Sequence, residues 1–348
     1  MSPGRAVLGG VTVGDGLPVV AVGVVNLSPE SFHPGSVYTR EGDLVSAALG
    51  MVEAGAALID VGGRSSAPYL DTEVDEAEER DRLARAVELL ARKIPVPISA
   101  DTARPAPARA ALEAGARVIN DVSGLRDPAV AALVVKHHAS VILMASPGRA
   151  GRGGLSSTTL AATRSGVPSR AASGQPPDAT GLGEPSAPGA RPETAAATGQ
   201  ADAARVVERP RPAPSGPPVD PVEHVKALLG AALERARAAG IAEDRIVVDP
   251  GIGFFRNEGM PWDEWDVRVL AELSVLKQLG RPVCVGVSRK SFVGAITGRQ
   301  SPAERLAGSL AATAIAVWNG AALIRTHDAA ETLDAIRVAE RLGRAGAP

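Results

Sequence analysis

Cysteines, aromatic residues and long apolar runs are all scarce in this chain of 348 residues. Its one cysteine, Cys284, excludes an intrachain disulfide and any metal site built from several thiolates. Aromatic side chains make up 3% of the residues, which argues against a surface that stacks nucleobases or sugars. No apolar run in the sequence approaches the ~20 residues of a membrane-spanning helix.

An excess of charge of one sign is also missing. The chain has 37 basic and 39 acidic residues, and its formal net charge is −2. Nucleic acids and anionic membranes are therefore not expected as partners. The first 20 residues do not have a basic start followed by an apolar core, so we predict no signal peptide and a cytoplasmic location.

Residues 147–219 differ in composition from the rest of the chain. They are rich in Ala, Gly, Pro, Ser, Thr and Arg, and they show neither helical nor strand periodicity. Such a segment does not bury enough apolar surface to offset the conformational entropy lost on folding. We predict a disordered, low-complexity insertion within a single domain that spans residues 1–348; a lid that orders on ligand binding is the alternative.

The remaining sequence alternates short apolar strands with helical patterns. Strands rich in Val and Ile are predicted at 19–25, 57–63, 97–101, 118–121, 140–146, 245–250, 282–288 and 322–327. Helical patterns follow them at 41–54, 73–93, 105–115, 127–137, 221–239, 263–279, 290–319 and 328–342. Nearly continuous apolar strands are typical of parallel strands covered on both faces.

Eight such repeats predict an α/β fold of the (β/α)8 TIM-barrel type. A doubly wound sheet is the alternative, but the GxGxxG phosphate motif that would favour it is absent after the first strand. The opening stretch VLGGVTVGDGLP predicts an N-terminal hairpin that could plug the lower end of the barrel.

Polar side chains end seven of the eight predicted strands. They are Asn26, Asp60, Asp101, the pair Asn120 and Asp121, Asp249, the run Ser288 to Lys290, and Arg325 with His327. In a barrel the C-terminal ends of the strands converge on one face, where barrel enzymes have their active sites. Each residue alone could merely cap its own turn, but together they predict one polar pit.

The charges at these strand ends are sorted into two halves. The acidic and amide side chains are Asp101, Asn120 and Asp249. Their oxygens suit a flat heterocycle with amino and ring N–H donors. The basic side chains are Arg289, Lys290, Arg325 and His327, and they suit a phosphate or another anion. We therefore expect a ligand in which a neutral heterocycle is joined to a phosphorylated group.

The chain resembles the dihydropteroate synthase family over nearly its whole length, except the insertion. The motifs that carry the resemblance are VVNLSPESF, DVGGRSS, ISADT, EAGARVINDVSG, VVDPGIGF, VGVSRKSFVG and RLAGSLAATAIAVWNGAALIRTHD. It implies a pterin-binding barrel that acts as a transferase in folate biosynthesis. The implied reaction condenses 6-hydroxymethyl-7,8-dihydropterin pyrophosphate with para-aminobenzoate to give dihydropteroate and pyrophosphate. Mg²⁺ as cofactor and a homodimer are also implied.

The resemblance also implies roles for individual residues. Pterin recognition would fall to Asp101, Asn120, Asp249 and Lys290, with Asp101 and Lys290 counted as catalytic. Pyrophosphate binding would fall to Asn26, Ser66, Arg325 and His327, with Asn26 also a ligand of the metal. Ser291, at a helix start, would bind the carboxylate of para-aminobenzoate.

Several loops depart from the usual pattern of the family, among them the first loop, NLSPESFHPGSV, and the stretch after the fifth strand, where Ala145 stands in place of the usual His. In GGRSSAPY, Arg64 and Ala67 stand where the family usually has Glu and Arg. In DPGIGFFR, Phe255 and Arg256 stand in place of the usual Gly and Lys. These loops resemble an archaeal-style branch of the family.

Two other functions stay open: a non-catalytic pterin-binding paralogue, and a pterin-dependent methyltransferase. The SRKSF and IRTHD motifs count against the methyltransferase.

Overall fold

The computed structural model describes residues 4–28, 38, 40–64, 74–147, 219–256 and 258–346. Two short strands at the start of the chain form an antiparallel hairpin: β1 (Arg5–Leu8) pairs with β2 (Val11–Gly14). Gly9 and Gly10 form the turn between them, with φ angles of +61° and +105°. A two-residue turn whose central φ angles are both positive matches the twist of the flanking strands, and glycine adopts such angles without strain.

Eight parallel strands follow the hairpin and form a barrel. They are β3 (Val20–Asn26), β4 (Leu58–Gly62), β5 (Ile98–Asp101), β6 (Val118–Asp121), β7 (Ser140–Met144), β8 (Ile246–Asp249), β9 (Cys284–Gly286) and β10 (Leu323–Thr326). Their order is β8-β7-β6-β5-β4-β3-β10-β9. A parallel bridge between Val248 and Val283 joins the two ends, and the N–H of Val248 donates to the carbonyl of Pro282 at 3.0 Å. The predicted (β/α)8 barrel is confirmed.

Helices connect the strands and cover the outside of the barrel. They are α1 (Glu41–Ala54), α2 (Glu76–Ala91), α3 (Pro105–Ala114), α4 (Pro128–Lys136), α5 (Pro221–Ala238), α6 (Trp262–Ala271), α7 (Ser291–Thr297), α8 (Leu306–Trp318) and α9 (Ala329–Gly346). Several begin with proline at the first helical position. Proline is tolerated there because a backbone N–H at that position would make no hydrogen bond within the helix. Aspartates precede two of these prolines and accept hydrogen bonds at 2.9 Å: Asp127 from the N–H of Ala129, and Asp220 from that of Val222.

One predicted helix is interrupted in the structure, and one predicted helical region is divided. The helix expected over 263–279 ends at Ala271 and continues as 3₁₀ turns over Leu273–Leu279. The stretch expected over 290–319 is two helices, α7 and α8. Gly298 ends α7 in a left-handed conformation with φ of +72°, and Pro302 opens a 3₁₀ turn before α8. A left-handed glycine is a common helix terminator, and proline cannot extend a helix that precedes it.

The hairpin closes the end of the barrel where the strands begin. Ala6, Leu8 and Val13 are fully buried there. They pack against inward-facing side chains of the barrel strands: Val22, Leu58, Val118, Ile142, Val247, Cys284 and Leu323. The hydroxyl of Ser140 donates to the carbonyl of Val7 at 2.8 Å and accepts from the N–H of Gly9 at 3.1 Å. The predicted plug is therefore confirmed, and the polar face is left at the opposite end.

The predicted insertion lies between β7 and α5. Apart from its two end residues, 147 and 219, it falls outside the described residues. Its disorder, and the prediction of a single domain over residues 1–348, stay predictions. Among the helices that the structure describes, none is long and apolar enough to cross a membrane.

Candidate active site

Asn120 and Asp121 end β6 and project to opposite sides of the strand, as successive strand residues do. The Nδ2 atom of Asn120 donates to Oδ2 of Asp60 at 3.1 Å, and both side chains are buried. Asp121 instead accepts from the N–H and the hydroxyl of Ser123 at 2.7 and 2.6 Å. Burial raises the pKa of Asp121, and the bonds from Ser123 oppose that rise. One residue of the pair therefore belongs to the polar pit, and the other closes its own turn.

A charged network links side chains of four strands across the barrel. The Nε atom of Arg325 donates to Oδ2 of Asp60 at 3.0 Å, and Nη2 donates to Oδ2 of Asp101, also at 3.0 Å. The same Nη2 atom bonds to Asp60, which is fully buried. Because Asn120 donates to Asp60 as well, side chains from β4, β5, β6 and β10 share one network.

The predicted division of the pit into an acidic half and a basic half is wrong at Arg325. Its guanidinium lies against two carboxylates, so acidic and basic side chains are in contact within the pit. Asp60 was expected in the polar pit but was given no ligand role, and it is the centre of the network. The sequence signal for it was the same as for the others, since Asp60 is a polar residue in the second strand of the barrel.

Burial shifts the pKa values of the pit carboxylates. It raises the pKa of Asp101 to about 7, although the charge of Arg325 opposes the rise. It also raises the pKa of Asp249, against the opposing charge of Lys290. Burial alone would lower the pKa of Arg325, but the charges of Asp60 and Asp101 outweigh it and the net shift is upward. The pit thus holds a guanidinium that stays charged and one carboxyl, that of Asp101, that can exchange a proton near neutral pH.

Lys290 lies beside Asp249 and the loop that follows β8. Its Nζ atom donates to the carbonyl of Ile252, and it lies 5.3 Å from the centroid of the Phe254 ring. Burial lowers the pKa of Lys290 to about 8, although Asp249 pulls in the opposite direction. Asp249 accepts from the N–H of Gly251 at 2.8 Å. Two predicted pterin ligands are therefore close in space and anchored by the same loop.

The backbone of Arg289 is strained, and its guanidinium is held by several hydrogen bonds. Its φ angle is +55°, which is uncommon for a residue other than glycine. Nε and Nη2 donate to the two carboxylate oxygens of Asp328 at 2.9 and 2.6 Å, and Nη1 donates to the carbonyls of Pro302 and Ala303. Arg289 was expected among the basic groups that suit an anion, and its guanidinium is instead paired with a carboxylate of the protein. This clamp fixes the backbone from which Lys290 projects.

The remaining predicted residues lie at the same end of the barrel, with one exception. Asn26 is paired in register with Gly62, and Gly62 with Asp101. Nδ1 of His327 lies 3.0 Å from the hydroxyl of Ser288. Ser291 is the first residue of α7, and its hydroxyl accepts from Nη2 of Arg256 at 2.6 Å. The exception is Ser66, which lies outside the described residues. The ligand roles of these residues stay predictions.

Asp266, on α6, is a residue that sequence reasoning missed. It is fully buried, and its Oδ1 atom accepts from the N–H of Gly253 at 2.8 Å. No sequence pattern marked it, because a lone acid in an amphipathic helix is usually solvated. Only the packing of α6 against the loop after β8 places it near Lys290.

Comparisons with known proteins agree with this architecture. A family model described as pterin binding enzyme matches residues 22–164 and 187–327. The dihydropteroate synthase of Escherichia coli is 30% identical over 320 residues, which are 92% of this chain and 90% of that protein.

Two solved structures of dihydropteroate synthase from Xanthomonas albilineans are similar over the whole fold. The structure with 4-aminobenzoic acid is 31% identical, with a TM-score of 0.71 and coverage of 100% of both chains. The structure in complex with 7,8-dihydropteroate is 29% identical, with a TM-score of 0.67 and coverage of 99% of this chain and 100% of that one. With the family model, the relative and the barrel all in agreement, the chain belongs to the dihydropteroate synthase family of pterin-binding enzymes.

Proposed function

We propose that this protein is a transferase that condenses 6-hydroxymethyl-7,8-dihydropterin pyrophosphate with para-aminobenzoate, forming dihydropteroate and pyrophosphate. The observation that carries the proposal is the gathering of Asp101, Asn120 and Asp249 with Lys290 and Arg325 at one end of the barrel. Acceptors for the N–H groups of a pterin and cations for its pyrophosphate are thus available in a single pit.

The acceptors include atoms that lack a partner in the protein. Oδ1 of Asn120 and Oδ1 of Asp60 are buried without a hydrogen bond among the described residues. An unmade hydrogen bond of a buried polar atom costs roughly 1–3 kcal/mol, so a ligand donor that reaches such an atom gains by pairing with it. Because Asn120 already donates Nδ2 to Asp60, its amide oxygen is the free end and suits the amino group of a pterin.

The reaction requires stabilisation of a leaving group more than a protein nucleophile. The bond between the pterin methylene carbon and the pyrophosphate oxygen breaks, and its electrons leave with pyrophosphate. The lone pair of the aminobenzoate nitrogen forms the new bond to that carbon, and the amine then loses a proton. Lys290, Arg325 and His327 would stabilise the negative charge that develops on the pyrophosphate.

The carboxylates and Lys290 would also orient the pterin ring. Ionised Asp101 and Asp249 accept N–H donors, and they favour positive character on the methylene carbon as the leaving group departs. The raised pKa of Asp101 would fall when a pterin donor pairs with it, because hydrogen bonding to the charged form favours that form.

Mg²⁺ is part of the proposal through Asn26. A protein usually binds Mg²⁺ with one or two oxygen ligands and leaves the rest of the coordination to water and substrate phosphates. The Oδ1 atom of Asn26 lies 3.1 Å from the point that a Cβ atom at position 62 would occupy, so Gly62 leaves space beside this oxygen. The amide oxygen of Asn26 therefore fits as the protein ligand. The ion would supply positive charge to the pyrophosphate.

The second substrate would bind near Ser291. Its hydroxyl and the guanidinium of Arg256 are already hydrogen-bonded to each other. A guanidinium beside a hydroxyl suits a carboxylate, so Arg256 would join Ser291 in binding para-aminobenzoate.

The test is release of pyrophosphate by the purified protein. Pterin pyrophosphate, para-aminobenzoate and Mg²⁺ are supplied together, and each is omitted in turn. Release that needs the amine supports the synthase, whereas pterin binding without turnover would favour the non-catalytic paralogue. Lys290→Ala should lower turnover by about 10²-fold or more, and Lys226→Ala, a substitution on the outer helix α5, should leave it unchanged.

A homodimer, as in the implied family, belongs to the same proposal. The 13 residues of α8 include no charged side chain, yet Ile315 and Trp318 are 51% and 59% exposed. A helix that is apolar on every side is normally covered, and a second copy of this chain is the proposed cover. Ile315→Asp should give a monomer in light scattering, and Val135→Asp, at an exposed valine on α4, should leave the mass unchanged.

The proposed location is the cytoplasm. The pyrophosphate ester of the pterin is multiply charged, and burying such charge in a bilayer is costly, so the substrate should be made and used in the same compartment.

A further inference from the structure

The buried carboxylate of Asp266 is not used by the reaction described above. Its Oδ1 atom accepts from the N–H of Gly253 at 2.8 Å, while Oδ2 is buried without a hydrogen-bond partner among the described residues. A carboxylate that is held by one oxygen and left open at the other is costly unless a nearby charge compensates for it. The nearby positive charges are those of Lys290 and Arg256.

The loop after β8 connects Asp266 to Lys290. Ile252 accepts the hydrogen bond from Nζ of Lys290, and the next residue, Gly253, donates to Asp266. Gly253 has a φ angle of +86°, and a Cβ atom there would lie 3.2 Å from Cδ of Lys290. The lysine stem is therefore packed against the same two residues of the loop that Asp266 fixes.

Aromatic packing keeps α6 in position beneath this loop. The rings of Phe255 and Trp265 are stacked with centroids 5.0 Å apart, and His224 of α5 meets both rings edge-on. Phe255 follows the loop, and Trp265 directly precedes Asp266. The carboxylate is thus held from both sides and is not free to swing out to solvent.

We propose that Asp266 is a positioning residue for the reaction: it fixes the loop that carries Ile252 and Gly253, and its negative charge keeps the ammonium of Lys290 protonated for pterin binding. The inference rests on the proposed function, because it assumes that Lys290 acts on the pterin as an ammonium donor.

The charges around the two groups set the direction of the effect. Lys290 faces the carboxylates of Asp249 and Asp266 and the guanidinium groups of Arg325 and Arg256. Asp266 faces Lys290, Arg256 and, on its own helix, Asp263. Burial raises the pKa of Asp266 to about 6, so its carboxylate is charged at pH 7 to 8, where Lys290 titrates. Removal of that charge makes the ammonium easier to deprotonate and moves the pKa of Lys290 to a lower value.

Asp266→Asn is the variant that separates charge from shape. Its amide oxygen still accepts from Gly253, but the negative charge is gone. The measurement is kcat/KM for the pterin pyrophosphate as a function of pH, whose alkaline limb reports the loss of the proton from Lys290 in the free enzyme. We expect the limb to move down by about half a pH unit or more. Glu264→Gln, an exposed acid on the same helix, should leave it in place. If the alkaline limb arises from titration of the substrate, its position should be the same in wild type and in both variants.

Two further measurements keep the test decisive. Asp266→Ser also removes the charge, and should shift the limb in the same direction if the asparagine variant does not fold. Acetylation of Lys290 by acetic anhydride, followed by mass spectrometry without substrate, should reach its half-maximal rate at a lower pH in both Asp266 variants. If the alkaline limb of kcat/KM and the acetylation profile of the Asp266 variants both coincide with those of wild type, the proposed role of Asp266 is wrong. If wild type shows no turnover but the acetylation profiles differ, the proposed function fails while the link between Asp266 and Lys290 stands.

Discussion

Arg325 donates from Nη2 to Oδ2 of Asp101 at 3.0 Å, and through the same atom it is bonded to Asp60. One guanidinium therefore compensates two carboxylates contributed by different strands. Asp60 also receives the amide of Asn120, so the position of one pit residue depends on the others. Substitutions within this network should affect both stability and ligand binding.

Asp60→Asn should be strongly destabilising. Among the described residues it leaves Asp101 as the one carboxylate hydrogen-bonded to Arg325, and it places a competing amide beside Asn120. Breaking a buried pair by removing one partner commonly costs ~3–5 kcal/mol, and the remaining bond to Asp101 should reduce that to about 2–3 kcal/mol. Urea denaturation measures the change in the free energy of unfolding. Glu234→Gln, which breaks a surface pair with Arg237, is the control and should leave the midpoint unchanged.

The titration of Asp101 should make stability depend on pH. Its pKa in the folded protein is raised to about 7, so the folded state binds this proton more tightly than the unfolded chain does. The resulting stability is fully present below about pH 4 and is lost as the pH rises through 7. Between pH 4.5 and pH 8, wild type should lose ~2 kcal/mol or more relative to Asp101→Asn. If the free energy of unfolding changes with pH in the same way in the two proteins, the raised pKa is contradicted.

Leu8→Ala should leave a cavity beneath the barrel. Leu8 is fully buried in the hairpin plug and packs against the first residues of the strands. Such a truncation should lower the free energy of unfolding by ~2–4 kcal/mol. Turnover at low temperature should be unchanged, because the plug lies at the end of the barrel opposite the polar pit. A large loss of activity without loss of stability would show that the two ends are coupled.

Deletion of residues 150–217, with the ends joined, should leave the barrel folded. The composition of the segment predicts that it contributes little to the core. The shortened chain should be soluble and should melt cooperatively within a few degrees of the full chain, as measured by circular dichroism. Loss of soluble expression would show that the segment is needed for folding.

The sequence predicted the order of the barrel elements because their signals are local. The helix over 41–54 and the strand over 118–121 have the bounds that were expected. Both are set by residue periodicity and by nearby caps; Gly55, for example, ends α1 with a φ angle of +111°. The end of α6 at Ala271 was missed because the apolar pattern continues across it into the 3₁₀ turns over Leu273–Leu279.

The site was only partly predictable. A polar residue at a strand end is visible in the sequence, and a barrel brings such ends together, so Asp101, Asn120 and Asp249 were expected in one pit. The pairing of Arg325 with Asp60 was not expected, since 265 residues separate the two along the chain. Asp266 gave no signal at all, because its burial depends on how α6 packs against a loop.

The sequence by itself determined the eight βα repeats, the hairpin before them and the chemical types available at the strand ends, because periodicity, glycine turns and side-chain chemistry are local properties. Only the tertiary structure decided which of those groups meet. The closing of the barrel between Val248 and Val283 and the burial of α6 set the distances between charges, and those distances determine which carboxyl keeps its proton and which cation stays charged.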